Sequence, residues 1–373
     1  MKIAMIGHKR IPSREGGVEI VVEVLAKRLV KLGHEVHAYN RKGKNVLDAS
    51  VDTFRDNVFE GVRLIWVPTF EAKSLNAMVY SLLATLRAIF GRYDVIHYHA
   101  EGSCVMLPIA HFFGIRTVVT IHGLDWQRGK WGGFASRYIK LGEKCAVKYA
   151  DEVIVLSKNV QEYFRTEYRR ETHYVPNGIE AQTYRRPDII KQKYGLEKES
   201  YILFLGRIVP EKGVHYLVEA YRQLERVKPK LVIAGAASHS SEYFQEIQKL
   251  AQGDENILFT GFVQGEELEE LFSNCKAYVL PSDLEGMPIS LLEAMSFGKP
   301  CVVSDIDEIK EVVGEDAFSF PKGDVQGLKA ALETMLSKLE IAPFVYPDGK
   351  MDLYNWDQIT SRYVKIYRKD LQQ

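Results

Sequence analysis

Short runs rich in β-branched and aromatic residues alternate with longer amphipathic segments along the chain, and the alternation starts afresh near the middle. A strand, helix, strand order of this kind demands a parallel sheet covered by helices, because each crossover must return along the outside of the sheet. KIAMI at residues 2–6 reads as the first strand. In the segment that follows, Val18, Val21, Val22, Leu25, Leu29 and Leu32 recur at helical spacing, with Gly33 as the stop signal. EVHAY, DVIHYH, TVVTIH, DEVIVLS and HYVP continue the strand series. After the turn PNG at 176–178 the pattern restarts with YILFLG, a helix over Val214 to Leu224, KLVIAG, a helix near Tyr243 to Ala251, and ILFTGF. A helix over Glu266 to Phe272, AYVLP, a helix within residues 282–305 and CVVSD complete it. The expected fold class is α/β, with two doubly wound, Rossmann-like parallel-sheet domains, for which 373 residues suffice. Expected limits are 1–180 and 181–354, and the tail 355–373 presents Trp356, Ile359, Tyr363 and Ile366 or Tyr367 on one helical face. That stripe needs a partner surface and is expected to pack back on the first domain.

The chain is formally neutral, with 49 Lys+Arg against 49 Asp+Glu, but unevenly so. Residues 1–180 hold 26 cations and 19 anions, a balance of +7, and residues 181–373 hold 23 and 30, a balance of −7. A basic first half suits interdomain docking, an anionic acceptor or peripheral contact with an anionic membrane surface; scattered solvated charge accounts for the same totals. Nothing points to a nucleic-acid partner. Cys104, Cys145, Cys275 and Cys301 are too scattered for a zinc motif or a disulfide framework, which fits a reducing compartment. The opening MKIAMIGHKRIP lacks the long apolar run of a signal peptide, and LNAMVYSLLATLRAIF at 75–90 is broken by Arg87. A cytoplasmic location, extending to the inner face of the membrane, is the expectation.

Ligands of open α/β sheets bind beyond the carboxyl ends of the strands, and the candidate motifs lie there. Gly16 and Gly17 precede the first helix, so that its N–H groups are open either to a phosphate or sugar or simply to a tight turn; the stretch is not G-x-G-x-x-G. GRIVPEKG places Arg207 and Lys212 in one strand-to-helix loop, where they either neutralise a diphosphate or stay solvated. In SDLEGMPISLLEAMSFGKPCVVSD, Pro288 suits the first helical position, Gly286 uncovers the backbone before it, and the N–H groups of Met287, Ile289 and Ser290 form an anion site. Glu285 and Glu293 flank that site. Carboxylates there accept from hydroxyls of a ligand or favour the positive end of the helix. His122 ends the strand TVVTIH and is either a site residue or a satisfied core histidine; Trp126, Arg128, Lys130 and Trp131 follow as an acceptor-side border.

EGMPISLLEAMSFGKPCVVSDI, with its E-x7-E spacing, together with GRIVPEKG, VPNGI and GFV, resembles the retaining GT-B glycosyltransferases of family 4 over nearly the whole chain. IGHKRIPSREGGVEIVVEVLAKRLVKLGHEV and TIHGLDWQRGKWGGFASRYIKLGEKCAVKYADEVIVLS look like the subgroup of bacterial rhamnosyltransferases of surface polysaccharide assembly. The resemblance implies two domains facing across a cleft and transfer of a hexose from a nucleoside-diphosphate sugar to a glycan or lipid-linked acceptor, without metal or other cofactor. By position, Arg207 and Lys212 would bind the donor diphosphate with Gly16 and Gly17 on its far side, Glu285 the sugar hydroxyls and Glu293 the ribose. The base would lie against Gly235 and the segment Gly261 to Val263, and His122 by the reacting sugar. Ala236 and Ala237 stand where many relatives continue with glycines, which puts nucleotide contacts in that loop in question. A nucleotide-sugar epimerase of the UDP-GlcNAc 2-epimerase type shares the fold but not the E-x7-E spacing. A non-catalytic sugar-nucleotide-binding subunit would be expected to lack Arg207, Lys212 or Glu285.

Overall fold

The computed structural model describes residues 1–42, 57–69, 75–127, 132–224, 228–236 and 241–369. The chain divides into two compact units, Met1–Gly178 with Tyr354–Gln373, and Ile179–Leu353. Arg128, Lys130, Trp131 and Ala237, singled out in the sequence, lie outside the described residues.

In the first unit the strands are β1 (Lys2–Ile6), β2 (Glu35–Lys42), β3 (Val58–Phe59), β4 (Val62–Pro68), β5 (Val95–His99), β6 (Thr117–Ile121), β7 (Glu152–Val155) and β8 (His173–Tyr174). They form one sheet in the order β3-β4-β2-β1-β5-β6-β7-β8. Every pairing is parallel except β3 with β4. The central strands are apolar without alternation because both faces of the sheet are covered; Ile3, Ala4, Met5 and Ile6 of β1 are all fully buried. The helix Gly17–Lys31 buries Val21, Val22, Leu25 and Leu29, and Gly33 stops it at φ 83°, a left-handed angle that glycine adopts freely.

The helix Trp356–Arg368 belongs to this unit. Asn355 caps it by accepting from the N–H groups of Asp357 and Gln358, and its apolar face, Trp356, Ile359, Tyr363, Ile366 and Tyr367, is buried. Its last carbonyls, of Ile366 and Tyr367, accept from Arg116 at 2.8 and 3.1 Å, while the Tyr367 hydroxyl meets His97 Nδ1 at 2.8 Å. Gly178 lies against the Trp356 indole, where a Cβ would come within 2.4 Å of the ring.

The second unit contains β9 (Tyr201–Leu205), β10 (Lys230–Ala234), β11 (Ile257–Gly261), β12 (Ala277–Leu280), β13 (Cys301–Ser304) and β14 (Phe318–Phe320). Its sheet runs β11-β10-β9-β12-β13-β14, parallel throughout. Counted from β9, this is the doubly wound order 3-2-1-4-5-6, whose topological switch lies between β9 and β12. The loops that follow those two strands therefore border one crevice at the carboxyl edge of the sheet. They are the loops that carry Arg207 and Lys212, and Glu285 to Ile289.

Candidate functional site

The two switch-point loops of the second unit are tied together by main-chain and side-chain bonds. The Asp283 N–H donates to Glu211 O at 2.9 Å. Gly213, at φ 64°, passes so close to the β12 loop that a Cβ would stand 2.0 Å from Pro281 O. Across this contact Lys212 Nζ donates to Glu285 Oε1 at 2.5 Å, and the Ser282 hydroxyl donates to the same oxygen at 2.6 Å. Ser282 is held in turn, its carbonyl accepting from the Ser304 hydroxyl at 2.5 Å. The side chains of Lys212 and Glu285 are 15% and 7% exposed, so the pair is largely withdrawn from water. Arg207, in the same loop as Lys212, is half-buried, and its guanidinium makes no hydrogen bond or ion pair among the described residues.

The helix Ile289–Ser296 starts beside this pair. Pro288 is its N-cap, with ψ 109°, rather than its first helical residue as the sequence suggested. The reason is local: extended backbone at Pro288 lets its carbonyl accept from the N–H groups of Leu291 and Leu292 at 3.2 and 3.3 Å. No side chain caps the helix, so the N–H groups of Ile289 and Ser290 have no partner within it. Gly286 is buried and not uncovered as expected, and Met287 and Pro288 are buried with it. Glu293 is half-buried on the helix, whose opposite face packs Leu291, Leu292, Ala294 and Met295 into the core. Tyr278 of β12 links the elements: its hydroxyl lies 2.7 Å from Ser290 Oγ and 3.3 Å from Leu205 O, and burial pushes its pKa well up, so that it stays a neutral phenol.

The next two strand ends close the other side of the second unit's crevice. Gly206 N donates to Ala234 O at 3.0 Å, Ile208 N to Ala236 O at 3.1 Å and Gly235 N to Gly261 O at 2.8 Å. Gly235, at φ 148°, is pressed so near β9 that a Cβ would fall 1.8 Å from Gly206 O. Val263 is buried just beyond β11.

In the first unit, Gly16 is the N-cap of the helix Gly17–Lys31 and Gly17 is exposed. The buried Glu19 carboxylate curls back over this start, taking the Lys9 N–H at 2.9 Å, with its other oxygen 2.5 Å from where a Gly16 Cβ would be. A side chain at position 16 would therefore collide with this carboxylate. His122 follows β6, is 9% exposed, and lies with Nε2 3.1 Å from His99 Nδ1. The ring of His99 lies tilted against that of His97, centroids 4.0 Å apart, and His97 reaches the hydroxyls of Thr120 and Tyr367. Burial lowers the pKa of His97 to about 3 and that of His99 well below the ordinary value. The sequence reading missed His97 and His99, although their alternate positions in DVIHYH put both side chains on one sheet face. It also missed Ser282 and Tyr278, for which no local signal exists. Among the described residues no group of three or more His, Cys, Asp or Glu is arranged to hold a metal, and no helix is long and apolar enough to cross a membrane.

Residues 187–342 match the family model Glycosyl transferases group 1, and residues 15–183 match Glycosyltransferase Family 4. An uncharacterized glycosyltransferase of Methanocaldococcus jannaschii is 27% identical over 99% of this chain and 98% of its own length. Glycogen synthase of Mycobacterium tuberculosis is 27% identical over 98% and 94%, and O-antigen chain mannosyltransferase C of Escherichia coli 24% identical over 98% of both. Among solved structures, sucrose-phosphate synthase from Thermosynechococcus elongatus superposes with a TM-score of 0.81 at 22% identity, over 99% of this chain and 98% of that one. Anabaena HepE, in complex with UDP and glucose, does so at 0.80 and 18% identity, over 99% and 100%. With a group 1 domain behind a Family 4 domain, and two Rossmann-like domains that together match GT-B structures along the chain, the chain is a glycosyltransferase of the GT-B type.

Proposed function

We propose that the protein is a metal-independent, retaining hexosyltransferase that takes its sugar from a nucleoside diphosphate and builds cell-surface polysaccharide, with rhamnose among the candidate sugars. The observation that carries this reading is the Arg207 guanidinium, half-buried and without a protein acceptor among the described residues, at the switch point beside an uncapped helix start. Lys212 directs one N–H to Glu285, which offsets its charge locally, so Arg207 carries most of the unbalanced positive charge offered to a diphosphate. Glu285 keeps a second oxygen for sugar hydroxyls, and Glu293, further along the helix, is assigned to the ribose. Val263, Gly235 and the Ile289 N–H line the nucleotide side.

In the transfer, the bond from the anomeric carbon to the phosphate oxygen breaks as the acceptor oxygen bonds on the same face, and the acceptor's proton passes to the departing diphosphate. Charge grows on that diphosphate, where fixed amides and cations stabilise it without reorganising. His122 is assigned to a hydroxyl of the reacting sugar, and Gly16 and Gly17 to backbone contacts with the phosphates. HepE, bound to UDP and glucose, and the O-antigen mannosyltransferase support donor class and acceptor class respectively.

An acceptor at an anionic membrane surface is supported by one face of the first unit. Leu82, Leu83, Leu86 and Phe90 of one helical segment, and Phe112 and Phe113 of another, are exposed. Residues 72–93 and 102–124 contain no Asp or Glu, whereas the exposed Arg87 and Arg92 lie within the first of them.

The test is thermal stabilisation of the purified chain by UDP-, dTDP- and GDP-sugars. A ligand at a hundred times its Kd stabilises by about 2.7 kcal/mol, roughly 5–10 °C for a unit of this size. Arg207→Ala should abolish the shift caused by the active nucleotide. No response to any nucleotide sugar, or a full response in Arg207→Ala, sinks the reading.

A further inference from the structure

We propose that Arg41 anchors a phosphate or diphosphate on the acceptor. This rests on the glycosyltransferase reading and names a chemical class for the acceptor. Arg41 stands at the carboxyl end of β2, where its N–H donates to Lys9 O at 2.7 Å and joins that strand to the loop after β1. Its guanidinium lies 4.8 Å from the centre of the Tyr80 ring and donates a long bond of 3.4 Å from Nη2 to Gly7 O. Nε is buried without a partner, and no carboxylate forms an ion pair with Arg41 among the described residues. Burial presses its pKa down, against the opposing influence of Tyr80 and Glu19. A guanidinium nevertheless stays charged, so a largely enclosed one lacking an anion is a costly arrangement unless a ligand supplies it.

Glu19 acts on Arg41 without forming an ion pair with it, and the other carboxylates of this loop are shared between cations. Lys9 and Arg10 share Glu15, at 3.8 and 2.9 Å, and Arg14 and Lys27 share Glu23, at 3.6 and 3.2 Å. His8 adds no negative charge, and burial lowers its pKa to about 4. The place is tied to His122 through a short chain of contacts. Tyr80, beneath Arg41, accepts from the Gly7 N–H at 3.2 Å; a Cβ on Gly7 would fall 2.0 Å from His99 O; and His99 bonds His122. An anion on Arg41 would therefore sit on the same strand edge of the first unit as His122. With Nε enclosed and Nη2 given to Gly7 O, Nη1 is the donor left for a phosphate oxygen, and its planar group directs that bond in a way a lysine ammonium would not.

Inorganic phosphate is titrated by calorimetry into full-length Arg207→Gln protein, in which the donor-side cation is removed, and into the same protein carrying Arg41→Gln or Arg41→Lys. Binding should persist in Arg207→Gln, weaken at least tenfold with Arg41→Gln, and weaken several-fold with Arg41→Lys, which keeps charge but loses the planar group. Phosphate binding that is unchanged by Arg41→Lys, or that is already absent in Arg207→Gln, overturns the assignment. Arg41→Lys decides the matter if Arg41→Gln does not fold. Displacement of phosphate by glucose 6-phosphate names a soluble acceptor, and displacement by vesicles containing a polyprenyl phosphate names a lipid one; displacement by neither overturns the proposal. Nucleotide-sugar stabilisation that depends on Arg207 is read separately, so failure here leaves the donor reading to its own test.

Discussion

Replacing Lys212 by methionine removes one member of an ion pair whose side chains are only 15% and 7% exposed and whose Nζ to Oε1 distance is 2.5 Å. Glu285 is left with the Ser282 hydroxyl, at 2.6 Å, on the same oxygen. Stranding a buried charge costs about 3–5 kcal/mol, and the remaining hydroxyl places the loss near the lower end. At roughly 2–4 °C per kcal/mol for a unit of this size, the second unit should melt about 6–12 °C lower. Glu285→Leu strands a lysine whose long stem reaches water, and should cost less, on the order of 2 kcal/mol. The double variant Lys212→Met/Glu285→Leu should recover much of the loss, because replacing both partners of a buried pair with apolar groups is often neutral; a coupling of about 2 kcal/mol is expected from the cycle. Calorimetric melting of the four proteins measures this. The double variant should regain its fold without regaining nucleotide-sugar stabilisation, since the ligand reads charge and not packing. Strictly additive losses, or a Lys212→Met protein that melts with the wild type, would refute the argument that these two loops are locked by one shared charge pair.

Acid should destabilise the first unit through its buried histidines. Burial lowers His8 to about 4 and His97 to about 3, against about 6.5 in an unfolded chain. Above pH 6.5 neither state binds these protons; as pH falls towards 4 the unfolded chain takes them up and the folded one does not, so stability drops by about 1.4 kcal/mol per unit for each histidine. Glu19, Asn40 and Arg41 face His8, and Thr120, Tyr367 and His99 face His97, so the slope is isolated by comparison with His97→Gln, which should flatten melting against pH by about 1 kcal/mol per unit between pH 4.5 and 6; identical slopes would contradict it. For the membrane surface, Leu83→Glu with Leu86→Glu should cut co-sedimentation with phosphatidylglycerol vesicles at least tenfold, because two exposed leucines that binding would bury and the local charge balance are lost together. Equal binding of the double variant would exclude this face.

What could be read from the residues alone follows the range of the interactions involved. KIAMI, YILFLG and AYVLP announce strands because strands buried on both faces are apolar throughout, a signal contained in five or six residues. β3 and β14 escaped because they are two and three residues long, and β4 because VRLIWVP mixes buried and exposed positions at a sheet margin. The start of the helix Ile289–Ser296 was legible within one residue, since Gly286 and Pro288 act on their own backbone. The charge pair was not: Lys212 and Glu285 are 73 residues apart, and only the 3-2-1-4-5-6 strand order sets their loops side by side. The same limit hid Arg41, which in sequence is one more cation in a basic stretch. Its distinction arises because the helix Leu75–Ile89 brings Tyr80 under the guanidinium from 39 positions away while no carboxylate among the described residues forms an ion pair with it. Backbone features of a site are thus written locally, whereas its charge balance is written in the order of the strands, and an unbalanced charge becomes visible only after the sheet is assembled.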